Sequence, residues 1–252
     1  MTLTKLLRAL PLLLVIVGCS SLGNSDDPDA GAAELYQEAR AAMRAKNNET
    51  AIERFETLQS RYPFGEHAQQ AQLDIIYLYF KTDDWDAAIS AADRFIRLNP
   101  THPRVDYALY MRGSANMERG QDFLNRTFHL NRAIRDPRPL RQAFADFQRL
   151  ATDYPGSDYT DDARRRMVIL RNQLADHELA VARYYQSSSA YVAAANRAKG
   201  IIENFQETPA VEAALTILAD AYQHLDLPDL RQDVLRIIRQ NYPNHPLAKQ
   251  AE

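Results

Sequence analysis

The feature that most constrains the fold of this chain is an internal repeat with a period of 37 residues, which holds between the first two copies and between the last two. The third copy begins 55 residues after the second, which is 37 plus an insertion of 18. Each copy holds a small residue, a small or aromatic residue four positions later, an apolar residue three positions after that, and a closing proline. The copies, with few departures, are Ala51, Phe55, Leu58 and Pro63; Ala88, Ala92, Phe95 and Pro100; Ala143, Phe147, Leu150 and Pro155; Ala194, Ala198, Ile201 and Gln206; and Arg231, Leu235, Ile238 and Pro243. Because residues three or four apart share one face of a helix, each copy predicts a helix.

A second series runs ahead of the first in the same register. Its small position holds Ala39, Ile76, Gly113, Ala182 and Ala219, and three residues later stand Ala42, Tyr79, Asn116, Tyr185 and Tyr222. Small residues let two helices of a pair approach, while large ones fill the space to the next pair. Alanine is abundant and glycine is scarce, at eight residues, which favours helices. We predict an all-α superhelix (solenoid) of about five tetratricopeptide-like helix pairs, with a generic helical bundle as the alternative.

The N-terminus has the features of an export signal. Lys5 and Arg8 precede an apolar run from Ala9 to Val17. As a helix this run would rise ~14 Å, half of the ~30 Å hydrocarbon core of a bilayer, so it is too short to span one. We therefore predict a removable signal peptide over residues 1–18.

The apolar run leads into Ile16-Val17-Gly18-Cys19, which resembles the lipobox of bacterial lipoproteins. Cys19 is the only cysteine, and we predict that it carries the lipid anchor. Residues 19–31 are mostly small and polar, which indicates a lipidated N-terminus followed by a flexible tether. Ser20 stands where an Asp would, by the usual rule for such lipoproteins, retain the protein at the inner membrane. The expected location is the periplasmic face of the outer membrane.

The repeats divide into two groups. We assign repeats one to three to residues 32–155, with an insertion at about residues 118–140 that enlarges the turn inside the third pair. That insertion either binds a partner or packs against the array. Repeats four and five occupy residues 156–248, and one long helix from Tyr159 to Ser187, which contains neither Pro nor Gly, should link the groups rigidly.

Sequence patterns for catalysis are missing. His177-Glu178 opens a zinc-protease motif, but Val181 occupies the position of the second histidine. The sequence has no phosphate-binding loop and no nucleophile elbow. Thirty basic against 33 acidic residues give a net charge of −3, which disfavours a nucleic-acid-binding protein. We predict a non-enzymatic protein with no metal and no cofactor beyond the lipid on Cys19; an envelope hydrolase would need a catalytic dyad.

Several longer strings are more specific than the repeat. They are Arg61-Tyr62-Pro63-Phe64-Gly65, the run from Asp93 to Pro103, Tyr110-Met111-Arg112-Gly113, Tyr184-Tyr185, and Asn196-Arg197 with Gly200. With the lipobox, they resemble the BamD (YfiO, ComL) family of lipoproteins over essentially the whole mature chain. The resemblance implies a scaffold of the outer-membrane β-barrel assembly complex. Such a scaffold binds the barrel-forming subunit through its periplasmic POTRA domains, contacts accessory lipoproteins, and helps to recognise unfolded outer-membrane proteins for folding and insertion.

The resemblance also implies where partners bind: C-terminal segments of substrates on the N-terminal repeats, and the barrel-forming subunit on the C-terminal ones. For the substrate groove we predict Tyr36, Arg40, Met43, Tyr62, Phe64, Tyr77, Phe80, Tyr107 and Tyr110. Tyrosine offers rigid contact area and a hydroxyl, and Arg40 could pair with a terminal carboxylate. For docking we predict Arg197, with Asn196 and Lys199, facing an acidic partner residue.

Other interpretations remain at this stage. Each groove tyrosine could instead belong to the core between repeats, and Arg197 could be an ordinary solvated arginine. A tetratricopeptide lipoprotein that acts as a pilotin or as a cell-envelope coordination scaffold would share the lipobox and the period. It would not share the strings at residues 61–65 and 93–103.

Overall fold

The computed structural model describes residues 30–119 and 136–250. Regular structure in these residues is entirely helical. The helices are α1 (Ala30–Arg44), α2 (Asn48–Arg61), α3 (Glu66–Lys81), α4 (Trp85–Leu98), α5 (Val105–Arg119), α6 (Arg138–Asp153), α7 (Thr160–Ser187), α8 (Tyr191–Asn204), α9 (Ala210–His224) and α10 (Pro228–Asn241), and a 3₁₀ turn follows at Pro246–Gln250. Neighbouring helices pack as antiparallel pairs, and α1 also packs on α3, α3 on α5, and α7 on α9. The predicted all-α solenoid is confirmed.

The core recurs with the predicted period. The small positions of the first helices, Ala39, Ile76, Gly113, Ala182 and Ala219, are all buried. The apolar positions predicted for the second helices, from Ala51 to Ile238, are buried as well, whereas Arg231 is half-buried. Gly113 shows why a small residue is needed, because a Cβ there would lie 2.8 Å from the Phe147 ring of the paired helix.

The turns inside the pairs share the same register. Lys46 and Asp83, and likewise Ser189 and Asp226, have φ between 55° and 61°, and the members of each couple are 37 residues apart. After the first two turns, the side chains of Asn47 and Asp84 cap α2 and α4 by accepting backbone N–H groups. A left-handed residue reverses the chain within a few residues and fixes how each pair folds back.

Helix α7 joins the two groups of repeats, as predicted, in one uninterrupted element of 28 residues. Its first half contributes Ala163 and Leu170 to a cluster that also contains residues of α3 to α6. Its second half contributes Leu179 and Ala182 to a separate cluster with α8 to α10. Because one rigid helix belongs to both clusters, it sets the relation between them.

The boundaries differ from the predicted ones in small ways. Helix α1 begins at Ala30, two residues before the predicted start of the repeats, because alanine favours helix and Gly31 is covered by the Tyr62 hydroxyl. Helices α5 and α6 extend into the predicted insertion at both ends, to Arg119 and from Arg138. Residues 1–29, with Cys19 and most of the tether, and residues 120–135 lie outside the described residues. None of the described helices is long and apolar enough to cross a bilayer.

Candidate partner-binding surfaces

The residues predicted to begin the substrate groove meet around Asp74 of α3. Tyr36 donates its hydroxyl to Asp74 Oδ2 at 2.9 Å, and Arg40 Nη1 contacts Asp74 Oδ1 at 3.3 Å. Arg40 Nη1 also lies 3.9 Å from the sulfur of Met43. The guanidinium that we expected to be available for a terminal carboxylate therefore already pairs with a carboxylate of the neighbouring repeat.

Asp74 is 7% exposed, and this burial controls the electrostatics of the site. Burial raises the pKa of Asp74 above its usual range, although the hydrogen bond from Tyr36 and the charge of Arg40 oppose the shift. Burial and the nearby Asp74 charge raise the pKa of Tyr36 to about 12. The charges of Arg40 and Asp74 thus offset each other between α1 and α3, and the neutral Tyr36 hydroxyl donates a hydrogen bond to the same carboxylate.

A second aromatic group joins α5 to the start of α7. Tyr110 stacks on Tyr159 with ring centroids 4.8 Å apart and donates its hydroxyl to Asp162 at 2.8 Å. Tyr107 lies 5.8 Å from the same Tyr159 ring, and burial raises its pKa. Arg166 covers the outer face of Tyr110 at 5.5 Å. Tyr107 and Tyr110 are therefore half-buried and already occupied by contacts within the chain.

The remaining groove residues differ in how much surface they offer. Phe64, in the loop between α2 and α3, is 86% exposed, and Tyr77 on α3 is 39% exposed. Phe80 packs edge-on against Trp85 at 5.0 Å. Tyr62 is half-buried against the start of α1. Among the nine predicted residues, Phe64 and Tyr77 present the most apolar surface for a ligand to cover.

The predicted docking residues lie on α8, and Arg197 is the one that pairs with a charged side chain among the residues that the structure describes. Arg197 Nη1 donates to Glu178 Oε2 of α7 at 2.8 Å. The other oxygen of Glu178 accepts from Arg141 Nη2 of α6 at 3.1 Å. Asn196 and Lys199, on the same helix, are both exposed. The site that we expected to hold one arginine holds two, bridged by one carboxylate.

Sequence reasoning missed the residues that organise both surfaces: Asp74, Tyr159, Glu178 and Arg141. A signal existed for the two carboxylates, because each interrupts an apolar face. Asp74 lies inside the buried run from Ala71 to Ile76, and Glu178 is four residues after Leu174 and four before Ala182. An acidic residue inside an apolar stripe predicts that a basic side chain from another helix pairs with it.

Over residues 30–119 and 136–250, no three His, Cys, Asp or Glu side chains gather closely enough to hold a metal ion. The two surfaces consist mainly of aromatic rings and of arginines paired with carboxylates.

Comparisons with known proteins agree on a family. Residues 28–237 match the family model YfiO, described as an outer membrane lipoprotein. The outer membrane protein assembly factor BamD of Vibrio cholerae serotype O1 is 42% identical over 237 residues, covering 93% of this chain and 97% of that protein. BamD of Neisseria meningitidis serogroup B is 42% identical over 251 residues, covering 98% of this chain and 94% of that protein. Among solved structures, the crystal structure of MamA protein is similar to this chain at 16% sequence identity and a TM-score of 0.36. The alignment covers 84% of this chain and 94% of the MamA chain.

Proposed function

The chain belongs to the YfiO family of outer membrane lipoproteins, and from this premise we propose that it is a non-enzymatic scaffold of the outer-membrane β-barrel assembly complex. Relatives that are 42% identical over nearly their full length are named outer membrane protein assembly factors, and this observation carries the proposal. The names favour a role in outer membrane protein assembly over the alternative of a pilotin or a cell-envelope coordination scaffold.

In the proposed complex, the C-terminal repeats, together with α6 of the third repeat, dock the barrel-forming subunit through its POTRA domains. The support is chemical: Arg197 and Arg141 present two partly exposed cations beside Asn196 and Lys199, a surface suited to an acidic partner. Arginine is enriched at the centres of protein interfaces because its planar group makes several directed hydrogen bonds. Accessory lipoproteins of the complex are the other proposed protein partners.

We place the unfolded C-terminal segments of outer-membrane proteins on the N-terminal repeats. Phe64 and Tyr77 supply exposed aromatic surface there, and unfolded barrel strands carry aromatic side chains that would cover it. Arg40 could bind a terminal carboxylate in two ways: it could release Asp74, or it could keep Asp74 and use the N–H groups that Asp74 leaves free. The groove therefore relies on aromatic contact more than on charge.

Attachment to the membrane is proposed through the lipid on Cys19, at the periplasmic face of the outer membrane. Several acyl chains hold a protein on a bilayer nearly permanently, since each buried CH₂ contributes about 0.8 kcal/mol. Replacing Cys19 by Ser should release the protein from isolated outer membranes into the soluble fraction. Retention of that variant on membranes after a urea wash that separates it from its protein partners would contradict the anchor.

The proposed function is tested by affinity purification from detergent-solubilised outer membranes with the tagged full-length chain as bait. The expected result is recovery of the barrel-forming subunit and accessory lipoproteins. Recovery of pilus or secretion-pore proteins instead would support the pilotin alternative and overturn the proposal.

Binding of substrate is tested by titrating the full chain with a peptide that has the C-terminal sequence of an outer-membrane β-barrel. The combined change Phe64→Ala and Tyr77→Ala should weaken binding roughly tenfold, because exposed aromatic anchors dominate contact energies. Tyr184→Ala is a matched control, since Tyr184 is a 67% exposed tyrosine on α7. Equal affinity of the double variant and the wild type would remove the groove from the account.

A further inference from the structure

The ion-pair cluster around Glu178 has an unusual composition for a purely internal contact. One carboxylate receives two guanidinium groups, from Arg141 on α6 and Arg197 on α8, at 3.1 and 2.8 Å. Each arginine takes a different oxygen, so the carboxylate lies between them. The cluster therefore carries a net charge of plus one.

The exposure of its members shows where this excess charge can act. The Glu178 side chain is 14% exposed, whereas those of Arg141 and Arg197 are 58% and 47% exposed. A guanidinium has five N–H donors, and each of these arginines uses one nitrogen on Glu178. Most of the donors on both residues have no other partner among the described residues and face solvent beside the half-buried Glu178 carboxylate.

A comparison within α7 shows that two arginines on one carboxylate need not form an open site. Asp162 contacts both Arg165 and Arg166, but it also accepts the Tyr110 hydroxyl. Arg166 lies over the rings of Tyr110 and Phe147, so its cation is used in packing. Neither arginine of the Glu178 cluster has an aromatic contact of this kind among the described residues.

We propose that Arg141, Glu178 and Arg197 form a carboxylate receptor in which both arginines bind the same acidic side chain of the barrel-forming subunit. The inference rests on the proposed docking function and deepens it, because it adds Arg141 as a second docking residue. Glu178 acts as a positioning residue that holds two like charges side by side. A carboxylate from the partner completes a cluster of two cations and two anions and offsets the repulsion between the guanidinium groups.

The placement of the arginines gives the receptor its selectivity. Arg141 and Arg197 belong to α6 and α8, which both pack on α7, so their spacing is fixed by the packing of three helices. A single acidic residue of the partner that binds both arginines would therefore lie close to Glu178, the carboxylate that they share. A diffuse negative surface that meets each arginine separately would not need this spacing.

The test is a titration of the full-length lipoprotein in detergent with the purified POTRA domains of its barrel-forming subunit. We expect Arg141→Ala and Arg197→Ala each to weaken binding roughly fivefold to thirtyfold, the range for interface arginines. The double variant should lose less than the product of the two factors, because both arginines hold one carboxylate. Arg141→Lys should restore only part of the affinity, since lysine keeps the charge but lacks the planar fork.

Arg165→Ala is the matched control, because Arg165 is also an exposed arginine on a shared carboxylate but lies 13 residues before Glu178 on α7. Its affinity should stay within about twofold of the wild type, as expected for a rim position. Circular dichroism melting of every variant reports whether the fold is kept. If Arg141→Ala binds like the wild type while Arg197→Ala is weakened, the receptor is wrong and the docking surface stands. If neither Arg141→Ala nor Arg197→Ala weakens binding, both the receptor and the docking surface are wrong. If the double variant loses the full product of the two single losses, the receptor is wrong and the docking surface stands.

Discussion

Arg112 on α5 and Glu178 on α7 can be compared because both connect charged side chains from neighbouring helices. Each is the centre of a three-residue charge cluster, and each has a side chain that is 14% exposed. Around Arg112 stand two carboxylates, Asp93 of α4 and Asp146 of α6, with Arg112 Nε 3.1 Å from Asp146 Oδ2. Around Glu178 stand two arginines. The two clusters therefore have opposite charge patterns, minus-plus-minus and plus-minus-plus.

The difference that matters is that one outer member of the Arg112 cluster, Asp146, is buried, although the other, Asp93, has a side chain 38% exposed. Asp146 has a side chain 2% exposed, accepts a further hydrogen bond from Gln142, and has its pKa raised by burial. The outer members of the Glu178 cluster are about half exposed. A charge cluster with a buried flank holds helices together, whereas one with an exposed flank keeps donors available to another molecule. Composition alone does not distinguish the two roles.

Among these clusters, we expect the largest change in the free energy of unfolding from a substitution at Arg112. Arg112→Met should lower the free energy of unfolding by about 3–5 kcal/mol, because it leaves the buried Asp146 without its cation. Urea unfolding measures the loss. The deficit should shrink between pH 7 and pH 4, since the raised pKa of Asp146 lets it take up a proton and lose its buried charge.

The control is the paired change Arg112→Met with Asp146→Leu, which removes both charges and should recover most of the loss. A loss below about 1 kcal/mol in the single variant would show that the Arg112 cluster behaves like an exposed one, and the contrast would break down.

An intermediate effect is expected at Asp162, whose side chain is 33% exposed. The hydrogen bond from Arg166 lowers the pKa of Asp162 to about 2. A depressed carboxylate pKa contributes stability above the unfolded value, near 4, and the contribution disappears as the pH falls toward 2. Asp162→Asn should therefore cost about 1 kcal/mol at pH 7 after solvent screening, and progressively less below pH 4. A deficit that does not change between pH 7 and pH 3 would rule out this linkage.

The smallest effect is expected at the arginines of the Glu178 cluster. Arg141→Ala and Arg197→Ala should each change the free energy of unfolding by less than about 1 kcal/mol, since exposed ion pairs contribute little to stability. Thermal or urea unfolding of the isolated chain measures this. A loss of several kcal/mol would mean that the cluster serves mainly to hold α6, α7 and α8 together.

The repeat made most of the fold predictable. Ala51, Phe55 and Leu58 could be recognised because close helix packing demands the same residue sizes at the same positions in every copy. The long α7 was predictable because no Pro or Gly interrupts it. The exact start of α1 was not, since helix boundaries depend on packing, such as that of Tyr62 over Gly31.

The candidate sites were predictable only in part. Arg197 and the aromatic residues of the first helices could be identified from residue type, position and resemblance to the family. Their partners could not, because Arg40 meets Asp74 and Arg197 meets Glu178 only once separate helices have packed. Whether a tyrosine such as Tyr110 faces a ligand or the neighbouring helix depends on the same packing, and here it contacts Tyr159.

The central proposal is that two exposed arginines, Arg197 of the C-terminal repeats and Arg141 of α6, dock the barrel-forming subunit. The most direct measurement is the yield of that subunit when full-length Arg197→Glu is purified from detergent-solubilised outer membranes. Arg149→Glu serves as the charge-matched control, since Arg149 is an exposed arginine of α6 paired with Asp153. We expect Arg197→Glu to recover little of the barrel-forming subunit and Arg149→Glu to recover a normal amount. A normal yield with Arg197→Glu, from protein that is folded and membrane-bound, would contradict the account.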